Sequence, residues 1–181
     1  MERKEALELL KANLKHKNLV KHCLAVEACM RKLAERFNED AEKWALAGLL
    51  HDIDYEKTVD SPEKHGLVAM EILKDRIDDE DILHAIRAHA YREEPRSKMA
   101  WALYSADPLT GLIVAAALMH PSKKLEGVDL QFLKRRFKEK RFAAGANREQ
   151  IKECEKLGIS LDEFMQTCLE AMQEISDDLG L

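Results

Sequence analysis

Ala47-Gly48-Leu49-Leu50-His51-Asp52-Ile53-Asp54-Tyr55-Glu56, AGLLHDIDYE, is the stretch on which the reading of this chain turns. Its first half extends the apolar stripe of Trp44, Ala47 and Gly48 at helical spacing, which predicts a buried helix. Its second half puts His51 on that stripe and Asp52 beside it, where the helix gives way to the acidic run Asp54-Tyr55-Glu56. A histidine or carboxylate turned toward an apolar core loses several kcal/mol of hydration unless something inside compensates it. A bound metal ion is one such compensator.

The same anomaly recurs on both sides of this stretch. His22 lies one turn from Val26 and Cys29, and His65 shares a helical face with Val68, Ala69 and Ile72. His89 follows Ile82, Ala85 and Ile86 at helical spacing, and Asp107 is flanked one turn away by Leu103 and Gly111. A single inward histidine is more often a hydrogen-bonded core residue than a ligand. His22, His51, Asp52, His65, His89 and Asp107 together read better as a donor set, because a bundle that projects nitrogen and carboxylate donors from several helices toward one point can hold one or two divalent ions. The set lacks cysteine, which argues against a closed structural zinc site and favours Mn, Fe, Co, Ni, Mg or an open Zn site.

Nearly all of the chain has a period near 3.6. Val20, Cys23, Val26, Met30, Leu33 and Phe37 recur three or four apart, as do Leu161, Phe164, Met165, Cys168, Leu169, Met172 and Ile175. No strand-like alternation of useful length occurs, so the fold class is all-α, an irregular bundle of about eight to nine helices. They are expected near 2–14, 17–37, 40–53, 62–75, 79–91, 97–119 with a kink at Pro108, 129–141, 147–157 and 161–179. Ser61-Pro62 reads as a helix start, Gly158 as a helix end, and Ser160 with Glu163 as a capping box. With 181 residues, no internal repeat and no Gly/Ser/Pro-rich linker, one domain spanning 1–181 is expected. Its metal-site core would cover about 17–119, with a C-terminal helical extension over about 120–181.

Composition narrows the partners. A formal net charge of −5 disfavours a dedicated nucleic-acid binder and leaves room for small anionic substrates. Lys123 to Arg141 is basic and Glu149 to Leu181 acidic, which fits either two helices that pair with each other or a phosphate-facing surface. Cys23, Cys29, Cys154 and Cys168 show no CxxC spacing, so reduced thiols and a cytoplasmic location are expected. The N-terminal MERKEALELLK lacks the apolar run of a signal peptide. Met99 to Met119 is about long enough to span a bilayer, but Asp107-Pro108 at its middle favours a buried helix of a soluble protein, and no membrane partner is expected.

His51-Asp52 in AGLLHDIDYE, with His22 upstream in LVKHCLAVE and Asp107 downstream in LYSADPLTG, resembles the H…HD…D signature of the HD-domain metal-dependent phosphohydrolase superfamily. His65 in PEKHGLVA and His89 in AIRAHA resemble the added ligands of its two-metal members. The whole length, including DPLTGLIVA and FAAGANREQI, is similar to a group of small predicted HD hydrolases. The resemblance implies that His22, His51, Asp52 and Asp107 hold one ion, that His65 and His89 complete a second, and that Asp52 bridges. The chain departs from the cyclic-dinucleotide phosphodiesterase branch: Asp54-Tyr55 stands where those members have Gly-Lys, and no GYP element occurs.

The resulting expectation is a metal-dependent phosphohydrolase acting on a phosphate ester or anhydride, with a nucleotide as first candidate, through a metal-bound hydroxide. Asp52 would be the shared catalytic ligand. Asp54 or Glu56, just past it, would serve as general acid or base, or else as helix-end carboxylates or partners that orient the histidines. Arg87, Arg92, Lys123 and Lys124 are the candidate phosphate clamps. His16, His84 and His120 fall off the inward stripes and carry no assignment. A mixed-valent di-iron oxygenase of the same superfamily and a non-catalytic nucleotide-binding module are the alternatives.

Overall fold

The computed structural model describes residues 1–181 and contains helices and turns without a β-strand. After α1 (Arg3–Asn13), α2 (Lys17–Phe37) and α3 (Ala41–Leu50) form a hairpin. Asn38 turns the chain with a left-handed φ of 54°, and the Asp40 carboxylate caps α3 by accepting from the Lys43 N–H. The close approach of the two helices depends on Gly48. A Cβ there would stand 2.9 Å from the Val26 carbonyl oxygen and 3.0 Å from the Glu27 Cα, so any larger residue would push α3, and His51 with it, away from α2.

The following segment departs most from the sequence-based expectation. In place of one helix over 62–75, the chain makes the short α4 (Tyr55–Thr58), a 3₁₀ turn at Pro62–Lys64, a break at His65-Gly66, and α5 (Leu67–Leu73). Gly66 has φ +81°, and a Cβ there would lie 2.7 Å from the Ala90 Cβ, so the backbone passes close to the end of the next helix. The spacing of His65, Val68, Ala69 and Ile72 is the same whether or not the helix is continuous, and periodicity alone does not reveal the break. Ser61 precedes the turn without a side-chain cap bond.

The helix α6 (Glu80–His89) is capped by Asp79 and packs against α7 (Lys98–Met119). α7 continues through Pro108. A proline inside a helix leaves the carbonyl four residues earlier without its usual donor. Here the Gln150 amide supplies it, donating to the Tyr104 carbonyl oxygen at 2.8 Å, while the Gln150 Oε1 accepts from the Tyr91 hydroxyl at 2.6 Å. α7 is long and apolar enough to cross a membrane, yet much of it is buried in the protein core, including Leu103, Leu109, Leu112 and Ile113.

The remainder comprises α8 (Leu130–Lys138), α9 (Arg148–Lys152) continued by a 3₁₀ turn to Leu157, α10 (Leu161–Glu174) with its capping box, and α11 (Ser176–Leu179). The helix expected over 161–179 thus breaks at Ile175. One apolar core runs from Ala6 to Leu179 and takes in all four cysteines. Of the two readings of the charged C-terminal third, pairing is what the structure displays at Lys134–Asp162, 2.5 Å apart, while other acids of α10 reach back to α2 through Arg36–Glu163 and Lys32–Glu174. α2 and α7 are the two long central helices, and they pack against each other. The functional side chains gather where they meet.

Candidate metal centre

The six donors reach the centre from five local settings. His22 comes from α2, His51 and Asp52 from the turn that ends α3, His65 from the break before α5, His89 from the last residue of α6, and Asp107 from the middle of α7. His51, Asp52 and His89 are buried, whereas the side chains of His22, His65 and Asp107 are 24%, 20% and 26% exposed. The cluster is therefore closed on its inner side and open on one face.

All four imidazoles are held in the same way. The Nδ1–H of His51 donates to the Gly48 carbonyl at 2.7 Å, that of His89 to the Ile86 carbonyl at 2.6 Å, and that of His65 to Asp54 Oδ1 at 2.8 Å. His22 Nδ1 donates to Thr110 Oγ1 at 3.2 Å, because the Thr110 hydroxyl gives its own proton to the Asp107 carbonyl at 2.8 Å. These partners fix the proton on Nδ1 and leave Nε2 as the donor atom facing the centre, the arrangement that metal-binding histidines need.

The four Nε2 atoms form two pairs. His22 and His51 are 3.2 Å apart, as are His65 and His89. Asp52 stands between the pairs and offers one oxygen to each. Its Oδ2 is 3.5 Å from both His22 and His51 Nε2, and its Oδ1 is 3.4 Å from His65 Nε2 and 3.3 Å from His89 Nε2. Asp107 Oδ1 joins the first pair, 3.1 Å from His22 and 3.7 Å from His51. Donors about 2.0–2.2 Å from a common ion are spaced about 3.0–3.5 Å apart along the edges of an octahedron or tetrahedron. The observed separations fall mostly in that range, and nitrogen lone pairs facing each other at 3.2 Å repel unless a proton or cation lies between them. The donor set thus fits a divalent metal, and two of its triads, His22/His51/Asp107 and His51/Asp52/His89, are compact enough to hold an ion on their own.

Electrostatics agrees. Burial works against a charged His51, but the Asp52 and Asp107 carboxylates and the Gly48 carbonyl outweigh it and raise its pKa to about 9. Burial likewise opposes ionisation of Asp52, yet His51 and His89 hold it well below the usual carboxylate range, and Asp107 is lowered in the same way by His22 and His51. Both carboxylates remain anionic.

Most of the other residues singled out in the sequence are engaged in contacts of their own. Asp54 is fully buried behind His65: its Oδ2 accepts from the Gly66 and Ala69 N–H groups at 2.8 and 2.9 Å while Oδ1 orients His65. It thereby caps α5 in place of Gly66, which has no side chain. A carboxylate so enclosed cannot exchange protons with a substrate, and of its two expected roles the geometry favours orienting. Glu56 is engaged elsewhere, accepting from the Lys15 and His16 N–H groups at 2.9 and 2.6 Å ahead of α2. Arg87 is held by Glu80 and Glu93, and Arg92 donates to the His65 and Pro62 carbonyls, so neither is free to clamp a phosphate. Lys123 and Lys124 lie exposed in the loop after α7, with Lys124 beside Glu126 at 3.7 Å. His84 is buried, against expectation, and accounted for by the Glu94 carbonyl at 3.0 Å. Thr110 was not singled out in the sequence; its position three residues after Asp107, one helical turn along, is the only hint.

The family model described as HD domain matches residues 19–117, the stretch that contains all six donors. Ribonuclease Y of Nitratidesulfovibrio vulgaris is 35% identical over 96 residues, covering 52% of this chain and 18% of that protein. Ribonuclease Y of Chloroflexus aurantiacus is 31% identical over 120 residues, covering 65% of this chain and 22% of that protein. An uncharacterized protein of Methanocaldococcus jannaschii is 38% identical over 94 residues, covering 49% of this chain and 54% of that protein. The chain thus spans about a fifth of the length of the ribonuclease Y proteins and about half of the archaeal one. No solved structure matches.

Proposed function

This chain belongs to the HD-domain family, a superfamily of metal-dependent phosphohydrolases, and we propose that it hydrolyses a phosphate ester or anhydride, a nucleotide by preference, at a centre of two divalent ions. The observation that carries the proposal is the placement of Asp52, one oxygen toward His22 and His51 and the other toward His65 and His89. A carboxylate shared in this way serves two neighbouring ions better than one. His22, His51, Asp52 and Asp107 would hold the first ion, and His65, His89 and Asp52 the second. Divalent ions in such a site supply a water molecule acidic enough to ionise near neutrality and a positive field for the phosphoryl oxygens.

The protein's own residues do the rest. The Gly48 and Ile86 carbonyls, Asp54 and Thr110 keep the four Nε2 lone pairs aimed at the centre. The buried side formed by His51, Asp52 and His89 excludes bulk water, and the partly exposed His22, His65 and Asp107 leave a face from which a phosphate can approach. The relatives called ribonucleases are consistent with a nucleotide phosphoester as substrate. They match 52% and 65% of this chain and about a fifth of their own length, so the substrate class is carried over and RNA itself is not.

The test is elemental analysis of the purified protein followed by phosphate-release assays with Mn, Co, Ni, Mg and Fe(II) over a panel of nucleotides and simple phosphate esters. Metal near two ions per chain with metal-dependent phosphate release is the expected result. Two irons per chain with oxygen uptake and no phosphate release would instead identify an oxygenase, and nucleotide binding without metal or turnover a binding module.

A further inference from the structure

Beside the donor cluster lies a cleft of about 400 Å³, between the first turns of α2, the second half of α7 and the chain segment Leu179–Leu181. His22 and Thr110 form its inner wall, so a molecule in the cleft stands against the exposed edge of the metal centre. Gly111 lies on the cleft side of α7, one turn beyond Asp107, and a Cβ built on it would meet no atom within 4 Å. Glycine inside a helix is about 1 kcal/mol less favourable than alanine. At Gly48 the packing of α2 on α3 requires it, whereas at Gly111 no neighbour does; what its missing side chain provides is open space next to Asp107.

The walls have a definite chemistry. Val114 and Leu118 continue the Gly111 face of α7, with Leu118 53% exposed, and Leu179 and Gly180 line the cleft with them. At the rim, Lys21 Nζ donates to the Leu179 carbonyl at 2.7 Å, which fixes the ammonium and leaves two N–H donors, and Asn18 offers an amide one turn before His22. No Asp or Glu lines the cleft, and the one carboxylate at its edge is the main-chain group of Leu181. Aliphatic walls with an amide and an ammonium at the edge suit a flat, uncharged ring system with polar atoms on its rim, and the volume is within the range of small-molecule sites, about 300–1,000 Å³. A second groove near the centre, under Tyr91, Trp101 and Tyr104, has aromatic walls, and its three acids, Glu93, Glu94 and Glu153, outnumber its two cations, Arg92 and Lys156, which makes it less suited to an anionic substrate.

Resting on the phosphohydrolase reading for the position of the phosphate, we infer that the Gly111 cleft binds the nucleoside part of a nucleotide. The base lies between the aliphatic side chains of α7 and the Leu179–Gly180 segment, its edge is read by Asn18 and Lys21, and the phosphate reaches the centre past His22. Gly111 is then the residue that admits the nucleoside.

Gly111→Leu should fill the cleft without a clash, and Val114→Phe obstructs it from the same wall should the first variant fold poorly. The wild type, with and without metal, is titrated calorimetrically with adenosine, guanosine, cytidine and uridine, and phosphate release is followed from their 5′-monophosphates and from methyl phosphate. The inference expects at least one nucleoside to bind the metal-free protein, and the cleft-filling variant to lose that binding while keeping its metal content. That variant should also show kcat/KM for the matching nucleotide reduced by about tenfold or more, with methyl phosphate hydrolysis unchanged. Failure of all four nucleosides to bind the wild type overturns it. So does wild-type nucleotide discrimination in both variants, or a loss of nucleotide binding in Trp101→Ala that Gly111→Leu does not reproduce. If no ester is hydrolysed, the phosphohydrolase reading falls, and the nucleoside titrations still decide the cleft on their own.

Discussion

Replacing Asp54 by Asn separates the two duties of that buried carboxylate. Its Oδ2 caps α5 through the Gly66 and Ala69 N–H groups, and its Oδ1 accepts the Nδ1 proton of His65. Asn keeps one oxygen, which is a good cap acceptor, so the helix start survives. Its amide NH₂ then faces His65 Nδ1–H, donor against donor, and imidazole resolves the conflict by moving its proton to Nε2, the atom that faces His89 at 3.2 Å. A protonated Nε2 cannot bind metal. Loss of a partner that orients a metal-binding histidine lowers affinity about 10–100-fold, or about 1.4–2.7 kcal/mol. The loss should fall on the ion held by His65, His89 and Asp52 and leave the ion of His22, His51 and Asp107 in place. Titration calorimetry with Mn or Zn, alongside elemental analysis, should show two sites in the wild type and one retained, one weakened site in Asp54→Asn, with thermal unfolding little changed. Asp54→Ala is the contrasting variant: it strands three buried donors at about 1–3 kcal/mol each and should destabilise the fold severely. Unchanged affinity at both sites in Asp54→Asn, or equal loss from both, would refute the assignment of Asp54 to His65 and the division of the donors into two sets.

Asp52→Ala removes the oxygen offered to each histidine pair, so metal content and phosphate release should fall together; full activity in this variant would sink the metallohydrolase reading. In metal-free protein His51 has a pKa of about 9, above its ordinary 6.5, so its interactions with Asp52 and Asp107 stabilise the fold fully below about pH 6.5 and are lost as pH rises through 9. Metal must displace that proton, and its affinity should therefore rise about tenfold per pH unit between pH 7 and 9 from this group alone, with matching proton release in unbuffered titrations; a pH-independent affinity over that range would contradict it. Gly48→Ala places a Cβ 2.9 Å from the Val26 carbonyl oxygen and should cost about 1–3 kcal/mol in chemical denaturation while weakening metal binding through the displacement of His51; a variant as stable as wild type would show that α3 can shift freely.

Much of this protein is legible in its residue order. The 3.6-residue period yields the all-α class and the main helices, because burying one face of a helix imposes that period whatever the partners are. His51 and Asp52 betray themselves by ending an apolar stripe, and Ser160 with Glu163 marks the start of α10 because the capping box closes within four residues. These signals are local, and local physics suffices to read them.

Other features depend on residues far apart in the chain. The break at His65-Gly66 is held by Asp54, more than ten residues earlier, and α7 passes through Pro108 because Gln150, from a distant helix, satisfies the Tyr104 carbonyl. Charge and nearness in sequence single out the residues expected to touch substrate, but Arg92 and Glu56 are engaged by backbone groups of His65, Pro62, Lys15 and His16 that only the folded chain brings near, while Arg87 is taken up by Glu80 and Glu93 close to it in sequence. Thr110 and the Gly111 cleft are visible only once α2, α7 and Leu179–Gly180 meet. The chain's composition and periodicity determined which residues are turned inward; the tertiary packing decided which inward groups face one another, because the direction of a hydrogen bond and the shape of a cleft arise from the relative placement of helices, which no single helix encodes.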